Sequence, residues 1–270
     1  MVASIEQRME ILFGLIGVII ATIFLLGAAL FTPGYNPLEN TVSSLGFGEA
    51  KSLFSISFVI AGTLNIPFYI YLERELVNIK ESIRRLATGI SIFTSVCIAL
   101  VGIIPDDTYW KIFEIFHGFV AVVSFVGSSI YIVLYSVLMH KGPTSKLYSG
   151  PNFKKYLAYF GYFIGFVLIT FAINGILYSF GINAISLPLI EWILTILISI
   201  WIFITAIQLI SFKFFNIPGV YYKRTQFPEA LKMFEQAIEI LNRLNLKDEP
   251  ITDTIKENIE FLKKKLEKEG

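Results

Sequence analysis

The sequence predicts an all-α, polytopic membrane protein: a six-transmembrane-helix bundle followed by a short C-terminal cytosolic helical hairpin. Two observations predict this class. Hydrophobic residues make up 55% of the 270 residues and charged residues only 16%, a balance that soluble globular domains do not show. Six stretches also approach the ~20 apolar residues that a helix needs to cross ~30 Å of bilayer hydrocarbon.

The six apolar stretches carry few or no charges. They cover residues 9–31, 53–72, 87–104, 112–138, 156–180 and 187–212. The third is the shortest, but it lacks any ionised side chain and is still predicted to span the membrane. A large soluble helical core would leave a charged face on each helix, and the sequence shows no such face before residue 213. We therefore expect a transmembrane domain over residues 1–213.

The first stretch is interpreted as a retained helix. It is too long for the hydrophobic region of a typical signal peptide, and the segment Phe31-Thr32-Pro33-Gly34 that follows offers no small-x-small cleavage site.

Lys and Arg residues are distributed unevenly around the predicted spans. The segment before the first span and the connections after the second and fourth contain Arg8, Arg74, Lys80, Arg84, Arg85, Lys141, Lys146, Lys154 and Lys155. The connections on the other side contain only Lys51 and Lys111. Because short loops rich in Lys and Arg stay cytoplasmic, we predict a plasma-membrane protein with both termini in the cytoplasm.

The C-terminal part of the chain predicts a linker and a helical tail. Residues 214–226 are expected to form an interfacial linker, and residues 227–270 a cytosolic tail in which apolar residues recur at helical spacing over 227–245 and 252–269. The pattern resembles one tetratricopeptide-type helix pair, which cannot bury its own apolar face. We expect residues 227–269 to bind a cytosolic protein, a second copy of the chain or the membrane surface; a solvated tail is the alternative.

Ionisable and polar side chains gather on the predicted outer side. Ionisable residues within a membrane usually face the bundle interior or a wet cavity. Glu114 and His117 lie one turn apart near the start of the fourth span, and Glu191 begins the sixth. The other candidate site residues are Glu39, Asn40, Ser43, Ser44, Asp106, Asp107 and Asn174. We predict a polar pocket lined by spans two, four and six and covered by the first outer loop.

The predicted ligand of this pocket is a lipid or a small amphiphile. An alternative is a membrane-embedded hydrolase or transferase that acts on lipid head groups, with His117 as general base and Asp106 or Glu191 orienting it. A third possibility is a small-molecule carrier, which Pro67 within the second span would favour. Helix packing explains Ser124, Ser128, Thr195 and Ser199 within the spans better than a functional role does, and it explains Asn65 equally well.

No motif indicates a metal, a cofactor or a nucleic acid. A catalytic zinc site needs three protein ligands, and the sequence offers one deep histidine; the Asp106-Asp107 pair does not form a recognised calcium or magnesium loop. Phosphate-binding, dinucleotide-binding and Gly-x-Ser-x-Gly motifs are missing. The basic residues lie in separate loops rather than in one patch. We therefore expect no metal, no cofactor and no nucleic-acid partner, while enzymatic activity stays undecided.

Two short segments resemble the signatures of a membrane family known as domain of unknown function 998. They are Asn36-Pro-Leu-Glu-Asn-Thr-Val-Ser-Ser-Leu-Gly46 with Phe54 to Gly62, and Val101-Gly-Ile-Ile-Pro105-Asp followed by His117. The resemblance covers residues 9 to about 212 and implies a six-helix bundle with its signature residues on the outer face, but no established activity. A more distant similarity to eukaryotic six-span lipid-remodelling and autophagy-modulator proteins suggests lipid contact by analogy.

Overall fold

The computed structural model describes residues 5–104, 111–142, 148, 150–181, 185–212, 227–243 and 250–269. Over these residues the regular structure is helical, with no strand. The chain divides into two compact units, residues 2–213 and residues 214–270, with Met1 grouped with the second.

Six long helices form the first unit and confirm the predicted all-α membrane bundle. They are α1 (Ile5–Phe31), α2 (Lys51–Glu75), α3 (Glu81–Ile103), α4 (Lys111–Lys141), α5 (Lys155–Ser179) and α6 (Leu187–Ile210). Each contains a stretch long and apolar enough to cross a membrane, and only 22% to 44% of each stretch is buried inside the protein. Most of this apolar surface therefore needs lipid to cover it.

The helices pack as a ring. Each helix contacts the next one along the chain, and α6 returns to contact α1. Small residues allow the closest approaches. A Cβ atom on Gly62 of α2 would lie 2.5 Å from both the Ala99 nitrogen and the Ser95 oxygen of α3, so these two helices touch backbone to backbone.

Aromatic side chains fill the centre of the ring. The hydroxyls of Tyr69 and Tyr131 are 2.5 Å apart, and the Tyr135 hydroxyl is 3.0 Å from that of Thr88. The Tyr135 ring also stacks on Trp201 with the ring centroids 6.4 Å apart. These contacts give buried phenol hydroxyls the partners that hydrocarbon cannot supply.

Ion pairs join the helices at the end rich in Lys and Arg. Arg74 of α2 pairs with Glu10 of α1 at 2.9 Å, and Arg84 of α3 pairs with Glu73 of α2 at 3.2 Å. The opposite end carries the loop between α1 and α2, residues 32–50, and is called the first-loop end below.

Local sequence explains where α6 begins at the first-loop end. The Ser186 side chain accepts a hydrogen bond from the Leu189 amide at 3.4 Å, and a proline occupies the first turn. Both features are typical of helix N-termini. This start places Glu191 and Trp192 in the second turn of α6.

The second unit is a pair of helices, α7 (Phe227–Arg243) and α8 (Pro250–Glu269), which pack against each other. Leu262 is buried, and Lys263 pairs with Glu235 at 3.4 Å. Ile240 and Phe261 stay more than half exposed, as expected for a single helix pair. A binding partner for these helices stays a prediction.

The contact between α2 and α3 generates a stability prediction. We expect Gly62→Ala to lower the free energy of unfolding by roughly 1–3 kcal/mol, because the added methyl group meets backbone that cannot rotate away. The matched control is Gly89→Ala in α3, where an added Cβ has no neighbour within 4 Å. That change should be neutral or stabilise by up to ~1 kcal/mol through helix propensity.

Thermal unfolding in detergent compares the two variants with the natural protein. Equal unfolding temperatures for the two variants would contradict the close approach of α2 and α3.

Candidate functional site

An open cavity lies inside the ring, beneath the first loop. It holds about 830 Å³ of space between protein atoms, counting its open mouth. Helices α1, α2, α3, α4 and α6 and the first loop line it, whereas α5 does not contribute. Its walls are largely apolar, and its polar lining residues are Thr22, Ser43, Ser57, Asn65, Ser124, Ser128, Glu191, Thr195 and Ser199. This space is called the inner cavity below.

Most hydroxyl groups of the inner cavity already donate their proton to a backbone carbonyl. Thr22, Ser124, Thr195 and Ser199 each donate to the carbonyl four residues earlier, at 2.7–2.9 Å. Ser57 donates from α2 to the Ala21 carbonyl of α1 at 2.7 Å. A hydroxyl that has donated its proton keeps its oxygen lone pairs, so these residues offer hydrogen-bond acceptors to the cavity.

Asn65 is the polar residue of the inner cavity that is most clearly short of a partner. It lies in the middle of α2 and is 3% exposed, and its side-chain oxygen accepts no hydrogen bond. Other buried polar atoms of the described residues also lack partners, but those residues do not line the cavity. Because a buried acceptor without a donor costs roughly 1–3 kcal/mol, the Asn65 oxygen is a candidate ligand contact.

Glu191 supplies the ionisable group of the inner cavity. Its Oε2 atom accepts a hydrogen bond from the Val42 amide at 3.1 Å. Among the described residues, no Lys, Arg or His side chain forms an ion pair with it. The carboxyl group is therefore tied to the first loop while its charge has no basic partner in that part of the chain.

Two more hydrogen bonds attach the first loop to the start of α6. The Trp192 indole N–H donates to the Tyr35 hydroxyl at 2.7 Å, and the Ser186 hydroxyl donates to the Leu38 carbonyl at 2.6 Å. The Tyr35 and Trp192 rings also meet edge to face, with centroids 6.2 Å apart. Together with the bond from Val42 to Glu191, these contacts hold the loop across the mouth of the ring.

Tyr35 links the anchor to the loop's own backbone. Its hydroxyl donates to the Thr41 carbonyl at 2.9 Å while it accepts from Trp192. Burial raises the pKa of the Tyr35 phenol above its ordinary value, and the nearby Glu191 charge raises it further. The phenol therefore keeps the proton that the bond to Thr41 requires.

Apolar packing supports the same loop. Residues Ser43–Gly46 form a short 3₁₀ helix, and Leu45 within it is fully buried. Leu45 belongs to an apolar cluster that also contains Leu25, Phe54, Val101 and Trp192. The first loop is thus a packed cover over the inner cavity rather than a loose connection.

His117 is buried but does not line the inner cavity. It is 4% exposed, and its Nδ1 lies 2.8 Å from the Ile104 carbonyl oxygen, just after the end of α3. Since a carbonyl can only accept, Nδ1 carries the proton in this contact. Nε2 is buried with no partner. The proposed orienting residue Glu191 instead bonds Val42, and Asp106 and Asp107 lie outside the described residues.

The remaining candidate residues mostly have structural contacts. The Asn174 side-chain amide donates to the Ile185 carbonyl at 2.7 Å and accepts from the Ile185 amide at 3.1 Å. These two bonds hold the connection between α5 and α6. Asn40 accepts from the Asn36 amide at 2.9 Å, and Ser44 donates to the Thr41 carbonyl at 2.7 Å. Glu39 and Glu114 are exposed, and no hydrogen bond or ion pair joins Glu114 to His117 in the described part of the chain.

The structure thus brings two of the sequence-predicted candidates, Ser43 and Glu191, into one cavity. It adds Thr22, Ser57 and Asn65, and it adds Tyr35 with Trp192 as the anchor of the cover. The sequence did carry a signal for Asn65, because its amide side chain lies in the middle of an apolar stretch. The Tyr35–Trp192 pair had no local signal, because 157 residues separate its members.

The fold defines a multi-pass membrane protein. A family model described as "Protein of unknown function (DUF998)" matches residues 15–208. The match covers most of the chain, so the chain belongs to this family, as the short signatures indicated. No curated protein and no solved structure matches the chain.

The anchor of the first loop generates a prediction about local opening. Tyr35→Phe keeps the ring contact but removes the acceptor of the Trp192 N–H and the donor to Thr41. We expect the Val42 amide to exchange with solvent about tenfold faster or more, because an unpaired buried donor costs roughly 1–3 kcal/mol and 1.4 kcal/mol is a factor of ten.

Hydrogen exchange followed by mass spectrometry of the segment 36–46 measures this opening. Tyr159→Phe on the exposed face of α5 is the control and should leave the segment unchanged. Unchanged exchange in Tyr35→Phe would show that apolar packing alone holds the loop.

Proposed function

We propose that this protein binds a lipid or another small amphiphile in the inner cavity. The observation that carries the proposal is Asn65: this residue lines a cavity within a membrane helix bundle, and its buried side-chain oxygen has no hydrogen-bond partner. Polar groups in lipid surroundings are normally satisfied within the protein. A ligand that donates a hydrogen bond would satisfy this one.

The distribution of polarity along the cavity also suits an amphiphile. Ser43 lies in the cover itself, Glu191 accepts a hydrogen bond from the cover, and the lining also contains Asn65 and several hydroxyl groups. Apolar side chains such as Val18, Ile98 and Ile198 form much of the remaining wall. Ligand pockets commonly combine an apolar lining with a few placed polar groups.

Binding is better supported than hydrolysis of a lipid head group. A general base must lie within hydrogen-bond reach of the proton it removes. His117 does not line the inner cavity, and its Nδ1 contacts the end of α3. Glu191 lines the cavity, but its carboxyl group bonds the Val42 amide and forms no hydrogen bond with His117 among the described residues.

A cavity-filling substitution tests the binding function. We expect Ala121→Phe to abolish most of the amphiphile that copurifies with the protein, because Ala121 lines the inner cavity and the larger ring occupies it. The matched control is Val122→Phe, one residue along α4, at a side chain that is 60% exposed toward the membrane and does not line the cavity. Extraction followed by mass spectrometry quantifies the bound molecule per chain.

Thermal unfolding in detergent must first show that both variants fold. Equal loss of ligand from both, or no retained amphiphile in the natural protein, would contradict the proposal. Release of a lipid head group by the natural protein that is lost in a folded His117→Gln variant would favour the hydrolase alternative.

We further propose that the first-loop end faces the outside of the cell and that both termini are cytoplasmic. The uneven distribution of Lys and Arg supports this orientation, and an even number of candidate spans supports both ends of the bundle lying on one side. The inner cavity would then open toward the outer leaflet.

Single-cysteine labelling tests the orientation. In a Cys97→Ser background, which removes the sole cysteine of the sequence, Glu39→Cys places a thiol on the exposed first loop and Arg85→Cys places one at the opposite end. On intact cells, we expect a membrane-impermeant maleimide to label the Glu39→Cys protein alone. The Arg85→Cys protein should label only after permeabilisation, and the reverse pattern would invert the orientation.

A further inference from the structure

A second open space lies on the membrane side of the bundle, between α1 and α6. All of its lining residues in the described part of the chain belong to these two helices, and it holds about 820 Å³ of space between atoms, counting the open side. It is called the outer groove below. Among its lining side chains, Ile23 is 63% exposed, Ile196 is 49% exposed and Phe203 is 37% exposed. The groove therefore offers an apolar surface directly to the bilayer.

The outer groove and the inner cavity share part of their lining. Five residues line both spaces: Val18, Thr22, Leu25, Thr195 and Ser199. None of these side chains is larger than leucine, and three of them, Thr22, Thr195 and Ser199, carry hydroxyls whose oxygens remain available as acceptors. A molecule lying in the groove with its polar end toward these residues would have its apolar part against the groove and its polar end against the shared hydroxyl residues.

The polar groups of the inner cavity select the chemistry of that polar end. Among the described residues, the lining contains no Lys, Arg or His, and Glu191 is its ionisable residue. The hydroxyls of Thr22, Ser124, Thr195 and Ser199 have already donated their protons to the backbone, and the Asn65 oxygen accepts none. Apart from the Asn65 amide nitrogen and the Ser43 and Ser128 hydroxyls, which can also donate, the polar lining thus presents acceptors and a carboxyl group. This balance favours a ligand that donates hydrogen bonds.

An ammonium group fits this lining better than other common head groups. It carries three donors and a positive charge, and its hydrogen bonds to a carboxylate are about twice as strong as neutral ones. A hydroxyl group supplies one donor without charge. A carboxylate or phosphate would bring a second negative group close to Glu191 in a poorly hydrated space, where like charges repel strongly.

We propose that the ligand is a long-chain amphiphile with a primary ammonium head group, and that it enters the inner cavity from the bilayer between α1 and α6. Its ammonium group binds Glu191 and the neighbouring hydroxyl oxygens, and its alkyl chain lies along the outer groove. This inference rests on the proposed binding function and names the class of ligand and its route.

Three probes with equal chains test the head-group preference: dodecylammonium, dodecanol and dodecanoate. Each is titrated into the purified protein in nanodiscs, and bound probe is counted by native mass spectrometry. Folded Ala121→Phe protein gives the background from non-specific partition. We expect dodecylammonium to bind about tenfold more tightly than dodecanol, given the difference between charged and neutral hydrogen bonds, and dodecanoate to stay at background.

Glu191→Gln tests the origin of this preference, since the amide keeps an acceptor for the Val42 N–H but removes the charge. In this variant dodecylammonium and dodecanol should bind within about twofold of each other, because the charge-assisted hydrogen bond is gone. The comparison of probes on the natural protein does not depend on this variant folding.

The route is tested by filling the outer groove. Ile200 and Ile207 of α6 are both 40% exposed, but only Ile200 lines the groove. We expect Ile200→Trp to weaken and slow the binding of dodecylammonium, and Ile207→Trp to leave it unchanged. Equal effects of the two substitutions would overturn the route.

The outcomes separate this inference from the function on which it rests. Dodecanoate or dodecanol binding as tightly as dodecylammonium would overturn the ammonium preference while leaving amphiphile binding in place. All three probes binding equally to the natural protein and to Ala121→Phe would contradict the binding function itself.

Discussion

A polar group inside a bilayer has to find its partner within the protein, and this requirement organises the six-helix domain. Hydrocarbon offers no hydrogen bonds, so each unsatisfied group costs several kcal/mol in principle. The domain meets the requirement locally where serine and threonine bond the preceding turn of their own helix, and across helices where Tyr69 meets Tyr131. Asn65 is the cavity-lining residue at which the requirement is left unmet, which is why a ligand is inferred there.

The cover over the inner cavity follows from the same requirement. The Glu191 carboxyl and the Trp192 indole N–H both lie near the start of α6, where each needs a polar partner. The first loop supplies them through the Val42 amide and the Tyr35 hydroxyl. The hydrogen bonds that these two α6 side chains need therefore hold the first loop across the end of the ring. Buried Leu45 stabilises this closed arrangement by apolar packing. One set of contacts both stabilises α6 and shapes the candidate site.

The arrangement of α1 and α6 gives the cavity its relation to the membrane. These two helices are far apart in sequence and close the ring, and five small or medium side chains separate the inner cavity from the outer groove. Elsewhere in the ring, α2 and α3 touch backbone to backbone at Gly62. The inferred route for a ligand therefore runs between α1 and α6, where the inner cavity and the outer groove share lining residues.

The sequence by itself determined the fold class, the six apolar helices and the two amphipathic helices of the tail, because long uncharged runs and helical periodicity are local properties of the chain. It also predicted Glu191 and Ser43 as candidate site residues, and both line the inner cavity. It did not determine which side chains contact each other in the folded protein. Glu114 and His117 are one turn apart, yet one is exposed and the other bonds the end of α3. Asn174 suggested a ligand contact, yet its amide bonds Ile185.

Only the tertiary structure decided which polar side chains share a cavity and which already have partners. Whether a hydroxyl offers a donor or an acceptor to a ligand depends on whether a backbone carbonyl beside it already accepts its proton. The contact between Tyr35 and Trp192 depends on α6 lying next to the first loop in the folded protein. The composition of an apolar stretch predicts that a helix enters the membrane. It does not predict the rotation of that helix or its neighbour, because packing against other helices sets both.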